Sequence, residues 1–380
     1  MEKQKICIIG DGLTGLTTAL ILSQLDIKID LICKSKGVKK FNDNRVTAIS
    51  ASNYSFLLNF LNNADSKAFW PCKNIDLYHE KLNQYFHFMN YKNNGKYLMH
   101  IVENKKFKKI LFKNIQKKKN IKIINGEVKK INSDKTTIFI KKKLNYDLII
   151  LCLGEKSNIV SQLIGKRSIN SNSREIAFTA LVKHNSNIIE PKQYFLKEGP
   201  LAILPINKKV FSFVWSMNKN YRNKKIEEIK NLVHLKFNNI FNSKIKITID
   251  KLDQFPIRFR FNANFSKKNL LVLGNSSYSV HPIAGQGFNL IFRDIKKLFE
   301  NIKENLSLGL QIKDSLIIKK FTNSRKPENL LFGLGINFTN EFFQYKKSTS
   351  LIKEIILKDI NRFEFLKKLS LKLSDKGIFQ

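Results

Sequence analysis

The chain has 380 residues, 43% of them hydrophobic, and sets 68 lysines and arginines against 30 acidic residues, a formal net charge of +38. This apolar content builds a real core and excludes a disordered chain, and the length suits two domains or one large α/β unit with an inserted subdomain. The charge invites a phosphate partner, but lysine far outnumbers arginine, and the lysines are spread along the chain beside abundant Asn and Ile. The composition therefore reads as A/T-rich coding, with weak attraction to anionic membranes and no specific nucleic-acid partner.

The clearest unit is "KICIIGDGLTGLTTALILSQLDIKIDLIC" at residues 5–33. Residues 6–9 read as a short buried strand, 13–25 as a helix, and 27–33 as a second strand. Between the first strand and the helix lies Gly10-x-Gly12-x-x-Gly15. Gly10 permits the tight turn, Gly12 lets a pyrophosphate touch the backbone, and Gly15 lets the helix pack close to the sheet with its N-terminal amides facing the phosphates. The full strand–turn–helix–strand context predicts dinucleotide binding rather than a chance turn. The acidic residue that normally ends the second strand is replaced by Cys33, followed by Lys34. Lys34 suits a 2′-phosphate, but in so lysine-rich a chain it reads as a surface residue.

Gly10, Asp11 and Gly12 interrupt the first apolar stretch and no small-residue cleavage site follows, so it does not read as a signal peptide. Cys7, Cys33, Cys72 and Cys152 show no CxxC spacing and read as buried, reduced thiols of a cytosolic protein, not as disulfides or metal ligands. No metal site is expected. No apolar run reaches the roughly 18 residues of a membrane span.

Further along, "KYLMHIVENKKFKKILFKNIQ" predicts a strand end feeding an amphipathic helix. "NIKIINGEVKKI" and "TTIFIKKKLNYDLIILCLG" predict strands, the last ending at Gly154. Between about Ser168 and Phe265, segments such as "EIAFTALVKH", "GPLAILPI" and "VFSFVWSM" alternate as strands of a mostly antiparallel insert. A weakly charged stretch, "LLVLGNSSYSVHPIAGQGFNLIFRD" at 270–294, joins an apolar run to a glycine-rich turn, and "IFRDIKKLFENI" continues as a helix. From Pro327 onward the tail reads as helical, basic and rich in Phe and Leu.

Four segments in this order resemble the flavoprotein aromatic hydroxylases of ubiquinone biosynthesis, single-component FAD monooxygenases with the p-hydroxybenzoate hydroxylase fold. They are the glycine loop at 10–15, "NDNRVTAIS" at 42–50, "HIVENKKFKKIL" at 100–111 and "GNSSYSVHPIAGQGFNLIFRD" at 274–294. "GPLAILPI" also resembles a segment of that family's substrate domain. The resemblance implies an α/β fold: a Rossmann-like FAD-binding domain, an inserted, mostly antiparallel β-sheet substrate domain, and a helical C-terminus. Residues 1–70, 96–167 and 268–310 would form the FAD-binding part, 71–95 and 168–267 the substrate domain, and 311–380 the C-terminal helices.

Site roles follow from the same resemblance. Gly10, Gly12 and Gly15 would cradle the FAD pyrophosphate, and Arg45 would reach the cofactor after the second strand. Asn104 stands where many relatives carry arginine or glutamine, and Val128 would meet the adenine through its backbone. Gly154 belongs to an Asp-Gly pair whose acid is here Leu153. Gly274 and Asn275 would approach the pyrophosphate and ribityl chain, Asn275 replacing an aspartate of many relatives. The turn from His281 to Asn289 would wrap the flavin ring. Pro282 would stiffen the wall, Gly285 and Gly287 would admit the backbone, and Gln286 and Asn289 would add neutral hydrogen bonds. His281, Pro282 and Gln286 are the catalytic candidates, with a structural role as the alternative for His281. Amides at a helix N-terminus suit the negative charge of reduced flavin at N1 and the C2 carbonyl.

The implied cycle has NAD(P)H reduce FAD and leave, oxygen add at flavin C4a, and the hydroperoxide hydroxylate an electron-rich phenol. With one dinucleotide fingerprint, NAD(P)H is a transient co-substrate. A polyprenylated phenol fits a cytoplasmic enzyme touching the inner face of a membrane through its basic, Phe-rich C-terminal region, in contact with a ubiquinone-biosynthesis complex. Three acidic positions of the wider pattern are gone, at Cys33, Leu153 and Asn275. A catalytically silent FAD-fold scaffold subunit is therefore the first alternative. Another flavin enzyme of the same fold, such as an isoprenoid reductase or halogenase, is the second, and a nucleic-acid binder, on charge alone, the third.

Overall fold

The computed structural model describes residues 3–34, 43–93, 95–155, 157–170, 175–242, 245–282, 285–313, 315–343 and 364–377. Five short apolar runs, Lys5–Ile9, Lys28–Cys33, Ile121–Asn125, Leu148–Leu151 and Leu270–Val272, pair as parallel strands. Near-continuous hydrophobicity is what a parallel sheet covered on both faces requires. The strand order is 266–267, 270–272, 148–151, 5–9, 28–33, 121–125, with only the edge pair Ser266–Lys267 antiparallel.

Alternate residues divide between two cores. Ile6, Ile8, Ile29, Leu31, Leu148 and Ile150 face the helices Leu13–Leu22, Asn104–Gln116 and Gln286–Ser307, through Leu16, Phe107, Leu111 and Leu290. Cys7, Ile9, Ile32, Ile149 and Leu151 face a small sheet of strands 130–132, 137–139 and 143–145 and the helix Asn158–Ile164. All four cysteines are buried and free.

A second sheet runs in the order 247–249, 176–184, 210–217, 199–207, 192–196, 74–81, 84–92, with 253–256 also on strand 176–184. It is antiparallel apart from the pairing of Lys192–Leu196 with Asn74–Lys81. The helix Ile226–Ile240 packs Ile229, Val233 and Phe237 against Phe211, Phe213 and Trp215 of this sheet. Where the two units meet, Ala202 and Leu204 touch Ala48, Cys72, Met99 and Ile101 of a three-stranded sheet formed by 46–50, 99–103 and 70–72.

Several boundaries differ from the sequence reading. The first helix ends at Leu22, where the Ser23 amide donates to the Ala19 carbonyl. The helix Ile226–Ile240 breaks the run of strands expected over 168–265. The tail helix starts at Ser315 and passes through Pro327, because buried ion pairs hold it across the hydrogen bond that the proline removes. The predicted turn at 281–289 includes Ile283 and Ala284, and the predicted C-terminal helices include 344–363; both lie outside the described residues. Among the described residues no helix is long and apolar enough to cross a membrane.

Candidate functional site

The glycine loop is held rigidly by two of its three glycines. Gly10 has φ +125°, and a Cβ there would lie 2.3 Å from the Cys152 carbonyl oxygen; its amide donates to the Ile32 carbonyl at 3.0 Å. A Cβ on Gly15 would lie 2.0 Å from the Gly10 carbonyl oxygen. Gly12, the N-cap of the helix Leu13–Leu22, has no atom within 4 Å of a built Cβ, so its face opens away from the protein.

Two further turns converge on this loop. Gly274 has φ +73°, and its missing Cβ would sit 2.8 Å from Thr14, which draws the end of strand 270–272 onto the helix start. Ser276 Oγ donates to the Gly154 carbonyl at 3.1 Å. Asn275 is exposed and its carbonyl accepts from Arg260. The carboxyl ends of three parallel strands, with 10–15, 154 and 274–276, thus form one rim.

Arg45 and Asn104 are also neighbours. Arg45 donates twice to the Asp43 carboxylate, each at 2.7 Å, and lies over the Phe255 ring. Asn104 donates to Asp43 at 3.1 Å and accepts from Thr47 at 2.6 Å. Burial pushes the Asp43 carboxyl up, but the bonds from Arg45 and Asn104 outweigh it and hold it below its ordinary value. Val128 puts its side chain into the core beside Ile138 and Ile140.

The strand end that lacks its acid is apolar but not remote from charge. Burial pushes the Cys33 thiol up to about 11, with the Asp11 carboxylate adding to the rise and Lys108 opposing it. Lys108 Nζ lies 3.7 Å from Asp11 Oδ2. Lys34 is exposed and pairs with Glu127 at 2.8 Å, as a surface lysine does.

The flavin-ring candidates gather at the start of the 22-residue helix Gln286–Ser307. Its N-cap Gly285 has φ +65°; a Cβ there would be 3.0 Å from Ala48 Cβ, and its amide donates to the Pro282 carbonyl. Gln286 is buried and its Oε1 has no hydrogen-bond partner among the described residues. A Cβ on Gly287 would make only an ordinary 3.7 Å contact with Val280. The Asn289 amide is engaged by the Ala48 carbonyl, the Ser50 amide and Asn53, so it positions the helix on strand 46–50 and offers no free donor. His281 is buried with Nε2 3.1 Å from Glu175 Oε2, in contact but off the line of a hydrogen bond, and Nδ1 has no partner among the described residues. Asn340 donates to the same carboxylate.

Sequence reasoning missed Asp11, Lys108, Asp43 and Glu175. Only Asp43, two residues from Arg45, carried a local signal. The others meet their partners across long stretches of chain.

This arrangement fits a flavin dinucleotide. An open Gly12 face sits above a helix N-terminus, where a diphosphate binds without side-chain help. An unsatisfied buried amide oxygen and a second helix N-terminus meet at Gly285–Gln286. Residues 89–309 match the FAD binding domain family. The chain belongs to that family. Stretches of this FAD-binding chain are also similar to curated proteins. One is the mitochondrial ubiquinone biosynthesis monooxygenase COQ6 of Dictyostelium discoideum, 30% identical over 185 residues. Another is the 3-demethoxyubiquinol 3-hydroxylase of Escherichia coli, 25% identical over 150 residues. The matches cover 39% and 38% of this chain and 37% of each relative, well under two thirds of their length. Among solved structures, p-nitrophenol 4-monooxygenase from Pseudomonas putida superposes with a TM-score of 0.82 at 14% identity, covering all of both chains. Klebsiella pneumoniae HpxO, complexed with FAD and uric acid, gives 0.77 at 12% identity over 99% of this chain and 98% of that one. The fold is therefore the expected one, a Rossmann-like FAD-binding unit with an inserted, mostly antiparallel sheet and a helical C-terminus.

Proposed function

We propose that the chain is an FAD-dependent aromatic monooxygenase that hydroxylates the ring of a polyprenylated phenol in ubiquinone biosynthesis, with NAD(P)H and O2 as co-substrates. The observation that carries this reading is the turn into the helix at 286–307. There a left-handed glycine, a buried amide oxygen without a partner among the described residues and a helix N-terminus come together beside strand 46–50. The two curated relatives, a ubiquinone biosynthesis monooxygenase and a 3-demethoxyubiquinol 3-hydroxylase, supply the substrate class.

FAD, when bound, would supply the redox chemistry of hydride acceptance and oxygen activation. The chain's own residues do the rest. Gly10, Gly12 and Gly15 admit the diphosphate to the amides of Leu13–Leu22, and Gly274 brings a second strand end to it. Backbone N–H groups of Gln286 and Gly287, in the first turn of the helix, present fixed partial positive charge that needs no titrating side chain. Gln286 completes its hydrogen bonding on the ligand, and Pro282 forms a stiff wall. The apolar seam of Ala202 and Leu204 against Ala48 and Met99 excludes water between the two units. In this reading 1–70, 96–167 and 268–310 hold the cofactor, and 71–95 and 168–267 close over the ring.

Peripheral membrane contact belongs to the same proposal. Leu331, Leu334 and Phe338 are exposed at positions i, i+3 and i+7 of the helix Ser315–Phe343, one apolar stripe in a strongly basic chain.

The test is an absorption spectrum of the purified protein, followed by oxygen uptake with NADPH and a polyprenylated phenol. A flavin spectrum, phenol-stimulated uptake and a product heavier by one oxygen are expected. Bound flavin without uptake under any phenol marks a silent scaffold instead, and absence of flavin overturns the reading.

A further inference from the structure

The adenosine half of FAD ends in a ribose whose vicinal hydroxyls need an acceptor, and Cys33 stands where an acidic residue usually supplies one. The structure offers another carboxylate. Asp11 lies inside the glycine loop, between rigid Gly10 and open Gly12, with 24% of its side chain exposed. Behind it, Lys108 reaches from the helix Asn104–Gln116, which packs beside Leu13–Leu22, and its side chain is only 7% exposed. Its Nζ stops 3.7 Å from Asp11 Oδ2.

Burying an ammonium that deeply is costly unless it is paired, and removing one partner leaves an uncompensated charge. The pair also lies within electrostatic reach of the strand end, since both charges act on the Cys33 thiol. Neutralised by Lys108, an acid in the loop does not repel a diphosphate at the neighbouring helix N-terminus. Glu127, a second carboxylate near that strand end, has 68% of its side chain exposed and is tied to Lys34 in solvent.

We infer that Asp11, held in place by Lys108, takes over the part of the missing strand-end acid and accepts hydrogen bonds from the adenosine ribose hydroxyls of FAD. The inference rests on the reading of the chain as an FAD protein and goes beyond it. It explains how the cofactor is held after the family's acid has gone from position 33. A carboxylate accepting from a vicinal diol gives charge-assisted bonds, which favour a ribose over a sugar lacking its hydroxyls.

The experiment strips the flavin and titrates the apoprotein by fluorescence with FAD and FMN, then competes FAD with ADP or 2′,3′-dideoxy-ADP. Wild type is expected to prefer ADP over the dideoxy analogue. Asp11→Ala should lose that preference and bind FAD about tenfold to a hundredfold more weakly, the loss typical of a hydrogen bond to a charged group, with FMN unaffected. Lys108→Met is expected to shift FAD in the same direction, and Glu127→Gln to change nothing. Asp11→Asn, isosteric and checked by circular dichroism, keeps the test open if the alanine variant does not fold; it should show a reduced ribose preference. An unchanged ribose preference in the Asp11 variants, or equal loss of FMN and FAD, overturns the inference while leaving the flavoprotein reading intact. A wild-type apoprotein that binds no FAD overturns both.

Discussion

Gly10 and Gly12 are two residues apart and carry opposite consequences for substitution. A methyl at Gly10 collides with the Cys152 carbonyl and must adopt φ +125°, so Gly10→Ala is expected to damage the fold itself. Gly12 has φ −75° and ψ 174°, a conformation valine accepts, and among the described residues no atom lies within 4 Å of its Cβ position. Gly12→Val is therefore expected to melt within about 1 kcal/mol of wild type yet to purify without flavin, because the valine fills the space of the diphosphate. The ratio of flavin to protein absorbance, read beside a thermal melt, checks this; a yellow, fully loaded variant would remove the loop from the site.

His100 provides a pH signature. It is buried and stacked on Tyr54 with ring centroids 3.7 Å apart, and burial lowers its pKa to about 4. The unfolded chain takes up this proton near 6.5, so stability is complete above that value and is lost as pH falls toward 4. The loss from this one group reaches at most about 3 kcal/mol. His100→Phe, which keeps the stack, should flatten that part of the stability curve in urea titrations from pH 7 to 4.5; an unchanged slope would show that His100 is protonated in the fold. Residues of this kind were only partly legible in the sequence. Gly10 and Gly15 announced close approach because no other residue tolerates it there. The His281–Glu175 contact joins positions 106 apart, and nothing local to either marks the other.

At the scale of elements, the parallel strands Lys5–Ile9 and Leu148–Leu151 were readable because burial on both faces leaves a nearly unbroken apolar run. The helix Ile226–Ile240 was not, although Ile226, Ile229, Val233, Phe237 and Ile240 keep its period. Asn and His interrupt it, and strands flank it on both sides. The tail helix was read as beginning at Pro327 for the opposite reason, since the local rule against proline within a helix hid its first residues, from Ser315 on. The helix Gln286–Ser307 was recognised, and its first turn is the element most directly open to test. A Cβ on Gly287 meets only Val280, at 3.7 Å. Gly287→Val is thus expected to fold normally while pushing a flavin ring away from the amides. A lost donor of this type costs about 2.7–4 kcal/mol in a transition state. Stopped-flow reduction by NADPH should slow by roughly a hundredfold or more, and unaltered reduction with coupled oxygen use would show that the turn serves another purpose.

Across the whole molecule, the helix Gln286–Ser307 is tied to the tail by a buried ionic network. Asp294 accepts from Tyr278 at 2.5 Å, from Arg325 Nε at 2.7 Å and from Asn329, while Arg325 also pairs with Glu328. Arg293 lies in the same interior over the Phe332 ring. Asp294→Ala leaves Arg325 short of a partner in a dry interior, where such a break costs about 3–5 kcal/mol. Urea denaturation should reveal that loss, and a change below about 1 kcal/mol would mean that water reaches the network. None of this was visible in the sequence, where Arg293-Asp294 looked only like the point at which charge resumes.

The tail also reaches back to the front of the chain. The Ser52 amide donates to Asp375 Oδ1 at 2.9 Å, and the Ser52 hydroxyl to the Asp375 carbonyl at 2.8 Å. Gly377 fits so closely that a Cβ would lie 2.1 Å from Glu328 Oε1. These bonds join positions 323 apart, and a ribosome adding about 5–20 residues per second needs roughly 15–65 s to bring the second partner into existence. Throughout that interval the helix start behind strand 46–50, which lies against Gly285, waits unlatched. This latch between the two ends of the chain therefore forms only late in translation.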